Sequence, residues 1–305
     1  NVSSIIWGKI IAVWLFGLAL LSLTIIVYSL FNFNTLSGDV LGRVGLFYVS
    51  YALYYFIISG FTVVLATHWK NPTAVLTSML GVWILWTIFL PNIILSSVEK
   101  WHPLPSRNTF QAEMKEDRSK GIDGHNPQDE RGKELEEKIL KEYSVDSISQ
   151  LPINFDGIRM QADEEYGNKV WDKHFGQLRA VLKKQKKSYQ LAGLLNPFIA
   201  LQNLSMGFSG SDNLHHQEFL IQVESYRREF IKTLNDKHAF GGSRTGDWNW
   251  KASNDFYRSV KDYEYKPTSL NSIFHNYLLD LFILFGWSIF IVFFLFLGSQ
   301  KLRII

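Results

Sequence analysis

Hydrophobic and polar positions fall into long blocks along this chain instead of alternating evenly. Residues 10–31 are almost continuously apolar, 44–67 repeat the pattern with many Tyr and Phe, and 74–98 carry no charge at all. After a long charged stretch, 281–300 is again uncharged. A helix needs about 20 apolar residues to cross the hydrocarbon core of a bilayer, so each block is predicted to span a membrane. Pro91 stands inside the third block and is predicted to kink it, because proline lacks the amide hydrogen and its ring crowds the preceding turn.

The stretch 99–270 has a different period. Two prolines, Pro103 and Pro105, predict an extended approach, since a residue before proline is pushed out of the α region. Asn126-Pro127 predicts the start of a charged helix reaching about Tyr143, with Asn126 as cap and Pro127 at the first helical position. Val170, Phe175, Leu178, Val181, Leu182 and Tyr189 recur near every 3.6 residues and predict a long helix over 156–194. Asn196-Pro197 repeats the capping device and opens a short apolar helix through Leu204 that stops near Gly207. Asp212 opens an amphipathic helix with Phe219, Leu220, Val223, Tyr226, Phe230, Ile231 and Leu234 on one side. Phe175, Leu178 and Leu182, with Phe219, Val223 and Phe230, are the expected core. Beyond Asn235 the pattern fails at Gly241, Gly242 and Gly246. Trp248, Trp250, Phe256, Tyr257, Tyr263 and Tyr265 follow, and they suit either a membrane boundary or packing beneath the helices. The expected class is all-α: a polytopic helical membrane protein with three spans in 1–98, a mainly helical domain at 99–270, and a last span with a short tail at 271–305.

Composition sharpens this division. Lys9, Asp39, Arg43 and Lys70 are the only Asp, Glu, Lys or Arg residues in 1–98 of a chain of 305. A net charge of +3 is too small for a nucleic-acid partner, which wants a concentrated basic face. No cysteine is present, so disulfides, thiolate chemistry and Cys-based metal sites are excluded. The chain begins at Asn1 and reads as the later part of a longer polypeptide. If four spans alternate, Lys9, Lys70, Lys301 and Arg303 share one side and Arg43 lies on the other. Basic residues in short loops mark the cytoplasmic side, which places 99–270 outside.

Candidate chemistry is sparse. A phosphate-binding loop of the Gly-x-x-x-x-Gly-Lys-Ser/Thr type is missing, and the Gly241–Gly246 run lacks its lysine and reads as a flexible loop. Neither a His-Glu-x-x-His zinc motif nor a Gly-x-Ser-x-Gly elbow occurs. Asp212, His215, His216 and Glu218 form the densest polar cluster. Asp212 and His216, one turn apart, could share a metal with His174 or His238, but the simpler reading has Asp212 as a helix cap and His216 packed on the apolar face. The lysines at 183, 184, 186 and 187 read as a solvated face that could attract lipid headgroups or an acidic partner. Asp280, near the outer boundary of the last span, is a charge close to hydrocarbon and serves either function or simple capping. Asn203-Leu-Ser205 matches a glycosylation acceptor. No catalytic residue, cofactor or bound metal is expected.

Several motifs together carry a resemblance. These are Pro103-Leu-Pro105-Ser106-Arg107, Asn196-Pro197 with Gln202, Gly210-Ser-Asp212 with His216 four residues on, and Tyr265-Lys-Pro267 before the last span. They resemble the ABC-2 type permeases that hold a large extracytoplasmic domain between their last two helices. Ile5, Ile6, Trp7 and Lys9 resemble the end of the cytoplasmic coupling segment ahead of a third span. The resemblance implies two further helices before Asn1 and a bacterial inner-membrane exporter subunit. It also implies separate cytoplasmic ATPase subunits docking near Ile5, Ile6, Trp7 and Lys9, a second permease copy or paralogue, and surrounding membrane lipid. The competing expectations are a membrane-anchored sensor or scaffold and, on the Asp212 cluster alone, a metalloenzyme.

Overall fold

The computed structural model describes residues 2–69, 71–124, 126, 129–247 and 249–301, without the side chains of Val2, His68 and 297–301. Lys70, Pro127, Trp248 and Arg303, and the side chain of Lys301, lie outside the described residues. In chain order the helices are α1 (Val2–Phe31), α2 (Gly38–His68), α3 (Pro72–Ile84), a π turn (Leu85–Phe89), α4 (Leu90–Trp101), α5 (Arg107–Ser119), α6 (Glu130–Tyr143), α7 (Phe155–Leu191), α8 (Pro197–Ser209), α9 (Asn213–Phe240), α10 (Asn254–Ser259), α11 (Leu270–Ile273) and α12 (Leu278–Lys301). No strand occurs among the described residues. Ser3–Phe31, Gly38–Thr67, Pro72–Trp101 and Leu278–Phe296 are long and apolar enough to cross a bilayer, so the chain is an all-α, multi-pass membrane protein.

Three local features differ from the sequence reading. The second span begins before its apolar block at 44: Ser37 caps α2 by accepting from the Val40 amide at 3.3 Å, so Asp39 and Arg43 stand in its first turns. The third span is not simply kinked at Pro91. It widens into the π turn just before that residue, which relieves the clash between the proline ring and the carbonyl one turn earlier. Helix α6 starts at Glu130 and not at Asn126-Pro127. Asp129 holds the N-cap position, and its carboxylate accepts from the Asp123 amide and from Arg131.

The described residues form two compact units. The first takes Asn1–His102, Lys184–Gln217 and Pro267–Ile305; the second takes Pro103–Lys183 and Glu218–Lys266. The division at 98 and 270 therefore does not coincide with the packing, because 184–217 folds with the apolar spans. The reason is visible in α8, which has no charged residue and buries Ile199, Ala200, Leu201, Leu204 and Phe208. A helix apolar all round is a buried one. Its partners in the core are Ile10, Tyr54, Ile57, Tyr277 and Leu284, while Phe16, Leu30 and Phe282 leave the outer faces of the spans apolar.

The second unit is held largely by polar contacts. Its buried apolar residues include Leu151, Phe155, Val170 and Ala239. Asn154, fully buried, caps α7 by accepting from the Asp156 amide and donates to Ser243 Oγ and the Arg244 carbonyl. Thr245 and Gly246 are tied to Phe155 and Asp156, so the glycine run expected to be flexible is pinned to the start of α7. Arg159 bridges Asp156 and the Gly124 carbonyl, and Arg118 pairs with Asp163. Lys173, Lys120 and His174 hold the Asp117 carboxyl well below the usual range. Gly157 faces the Ala239 backbone, where an added Cβ would come within 2.6 Å. The expected core is only partly buried: Phe175, Leu178 and Leu182 are half-buried, and Phe219 and Phe230 are exposed. Phe219, Tyr226, Tyr263 and Tyr265 meet one another in edge-to-face and tilted ring contacts instead, which favours packing over a membrane boundary for these rings. Tyr226, Phe230 and Tyr263 line a cleft of about 820 Å³.

Candidate functional site

The last turns of α7, a 3₁₀ turn at Ala192–Leu194, and α8 make a helical hairpin within the first unit. Its turn is built by Asn196, whose side-chain oxygen accepts from the Phe198 amide at 3.1 Å, with Pro197 at the first helical position. At the other end Gly210, at φ 74°, supplies the left-handed residue that closes α8. Thirteen residues make α8 about 20 Å long.

Contacts at the hairpin tip show how far it reaches. Asn196 Nδ2 donates to the carbonyl of Trp86 at 2.7 Å, and Trp86 stands midway along Pro72–Trp101, within the π turn. Trp287 Nε1, midway along Leu278–Phe296, donates to the Gly193 carbonyl at 3.0 Å. Phe198 packs on Tyr54, and Ser205 donates to Tyr51, both central in Gly38–Thr67. The tip thus lies level with the middle of three membrane-length helices.

At the open end of the hairpin sits a charged cluster. Asp212 caps α9 by accepting from the His215 amide at 3.2 Å, and also accepts from His215 Nδ1 at 2.7 Å, Lys186 Nζ at 2.9 Å and Tyr277 OH at 2.7 Å. Burial pushes its carboxyl up, but the bonds from His215, Lys186 and Tyr277 outweigh that and hold it at about 2. Burial, then the Asp212 carboxylate, pushes the Tyr277 phenol up. His215 Nε2 faces Arg43 Nη1 at 3.4 Å, an arrangement that puts the ring proton on Nδ1. Arg43 pairs with Asp39 at 2.7 Å and donates to the carbonyls of Gly207, Phe208 and Thr268. A cation there suits the negative end of the α8 dipole. Asp280, fully buried in the first turn of α12, accepts from Gln190 Nε2 at 2.6 Å and Asn203 Nδ2 at 3.0 Å.

Several expected site residues take other roles. His216 is exposed and not packed on the apolar face; the buried partner of Asp212 is His215. Lys186 belongs to the cluster and is not a solvated lysine. Asn203, the glycosylation acceptor by pattern, is buried against Asp280. Gln202 accepts from Tyr189 OH, and Ser106 caps α5 through the Thr109 amide, while Pro103, Pro105 and Arg107 are exposed. Ile6 is in the core, Trp7 half-buried, and Ile5 and Lys9 exposed. His174 pairs with Asp117, and His238 faces Asn154. Among the described residues no three His, Asp or Glu gather as metal ligands. Gln190 and Tyr277 escaped the sequence reading, and Arg43 and Asn203 entered it only as a loop charge and a glycosylation pattern, although a charge at Asp280 beside hydrocarbon signalled that polar partners had to be near.

Residues 107–266 match the model of a family described as a domain of unknown function, DUF3526. No curated protein and no solved structure matches the chain.

Proposed function

The chain belongs to the DUF3526 family, whose model covers more than half of it, and on that premise we propose that it is the transmembrane permease subunit of an ATP-driven ABC-2 type exporter. The supporting observation is the hairpin tip, level with the π turn in the middle of the third span. Backbone interrupted at membrane depth persists only where protein covers it or a cavity runs beside it, and transporters place such broken helices at their binding level. A sensor or scaffold held by anchoring spans has no use for one.

The energy source in this proposal is a separate cytoplasmic ATPase. The sequence has no phosphate-binding loop. The carboxylates of Asp39 and Asp280 sit at the ends of their spans, engaged by Arg43 and by Gln190 with Asn203, which is poor placement for a midplane ion site. A second permease copy or paralogue completes the path. The ATPase docks near the start of α1, where exposed Ile5 and Lys9 are available, whereas Ile6 is committed to the core.

In the proposed orientation, the inner membrane of a bacterium carries 103–183 and 218–266 on its outer side, while the 184–217 hairpin enters from that side among the spans. Purification of the full-length protein from its native membrane in mild detergent should bring down an ATPase, and Ile5→Asp should release it while the thermal midpoint stays unchanged. Transport that survives ATP depletion but not collapse of the proton gradient would refute the mechanism. Because native cysteine is absent, single cysteines at Asn71 and Ser119 test sidedness. An impermeant thiol reagent should label Ser119→Cys alone, and labelling of Asn71→Cys alone would reverse the orientation.

A further inference from the structure

On the outer surface of the hairpin, Lys184, Lys187, Leu191 and Leu194 are all exposed. Their spacing of three, four and three residues puts them on one helical face, two cations followed by two leucines. The sequence has no carboxylate between Asp172 and Asp212, so the positive charge of that face is not offset from its own segment. Lys186 is taken by Asp212 and the Tyr277 ring, whereas Lys184 and Lys187 enter no ion pair among the described residues.

The face continues into α12. Leu194 joins Phe282, Ile283, Trp287 and Phe290 around an apolar groove of about 410 Å³ that opens sideways from the fourth span. Trp287 Nε1 is already satisfied by the Gly193 carbonyl, so this ring presents only its apolar surface to an occupant. Gln190, between the lysines and the groove, is bonded to Asp280 in the first turn of α12. The lysines therefore stand near the level where the span begins. Lys187 and Leu194 are separated by about 10 Å along the axis, and the headgroup layer of one leaflet is about 5–8 Å deep. The face thus runs from phosphate level into hydrocarbon.

We infer that this face binds one phospholipid with an anionic headgroup, its phosphate between Lys184 and Lys187 and one acyl chain in the groove. The inference needs only that the spans cross a bilayer, and it stands or falls independently of the export reading. Two lysines at the membrane surface favour an anionic lipid by about tenfold or more over a zwitterionic one. The groove by itself would take any acyl chain, so the lysines carry the selectivity.

The test uses the full chain, delipidated and placed in phosphatidylcholine vesicles containing a minority of phosphatidylglycerol with brominated acyl chains, or of equally brominated phosphatidylcholine. Bromine quenches an indole it touches, and the Trp287 share is the difference between the wild type and Trp287→Phe. The anionic probe should quench Trp287 at about a tenfold lower mole fraction than the zwitterionic one. Lys184→Gln with Lys187→Gln should remove that preference while leaving the circular-dichroism spectrum and thermal midpoint unchanged. Gly286→Leu, where an added side chain meets open space beside the groove, should abolish quenching by both probes. Equal quenching by the two probes in the wild type would show unselected boundary lipid and overturn the proposal. Absence of quenching, with a doubled mass in detergent, would assign the groove to a second copy and overturn it as well.

Discussion

Replacing Asp212 by Ala removes a carboxylate shared by four donors, and the loss can be worked out donor by donor. The α9 cap is worth about 0.5–2 kcal/mol. Tyr277 is fully buried, and its hydroxyl left without an acceptor costs about 1–3 kcal/mol. The Lys186 side chain is 27% exposed and can reach water once the carboxylate is gone, so its pairing adds about 1 kcal/mol or less. Together these give roughly 2–6 kcal/mol. The titration gives a partly independent figure for the charged part. Lowering the carboxyl from 3.8 to about 2 contributes roughly 2.5 kcal/mol. Because the folded value is the lower one, that stability is present in full above the unfolded value. It is lost as pH falls from about 4 toward about 2, and Asp212→Ala should lack this slope. Unfolding of the full chain in mild detergent, followed by near-ultraviolet circular dichroism, measures both. In a double-mutant cycle, Tyr277→Phe removes the stranded hydroxyl, so Asp212→Ala should cost about 1–3 kcal/mol less in that background. A single-mutant cost under about 1 kcal/mol, or strict additivity in the cycle, would refute the cluster as the fastening of the hairpin.

Gly207→Ala should destabilise by about 1–3 kcal/mol through overpacking, because its Cβ would stand 2.3 Å from ring atoms of the fully buried Tyr277; a lowered thermal midpoint checks this, and an unchanged one would mean the ring is free to move. Phe230→Ala should cost well below the about 3–5 kcal/mol of a fully buried ring, since Phe230 is 36% exposed; denaturant unfolding reads the difference. The Tyr263 hydroxyl is buried without a hydrogen-bond partner among the described residues, so Tyr263→Phe should leave the thermal midpoint unchanged or raise it.

Much of the fold was legible because its strongest signals are local. Uncharged runs of membrane length marked the four spans, and Asn196-Pro197 and Asp212 marked two helix starts by capping chemistry that needs only neighbouring residues. Where tertiary packing decides, the reading failed. Composition placed 184–217 in a soluble domain because lysines lead into it, yet α8 beyond them is apolar on every side and folds with the spans. His216 was preferred over His215 on helical spacing, but the cap bond and Arg43 select the residue one position earlier. Asn196-Trp86 and Asn203-Asp280 join residues 110 and 77 positions apart, and no local pattern encodes such pairs. Phe230 looked like core because periodicity reports one face of a helix without saying what covers it.

The π turn at Leu85–Phe89 also bears on how the third span tolerates changes in length. A π turn is an α-helix that has taken in one residue too many and closed around it. Deleting a residue anywhere else in the span would rotate all that follows by about 100° and swap its bilayer-facing and protein-facing sides. Deleting one residue within the π turn would restore α geometry with both flanking faces in place, but it would also bring the Pro91 ring against the preceding turn. The shortening is therefore disruptive alone and tolerated when Pro91→Ala accompanies it, because the exchange removes the ring that the π turn accommodates.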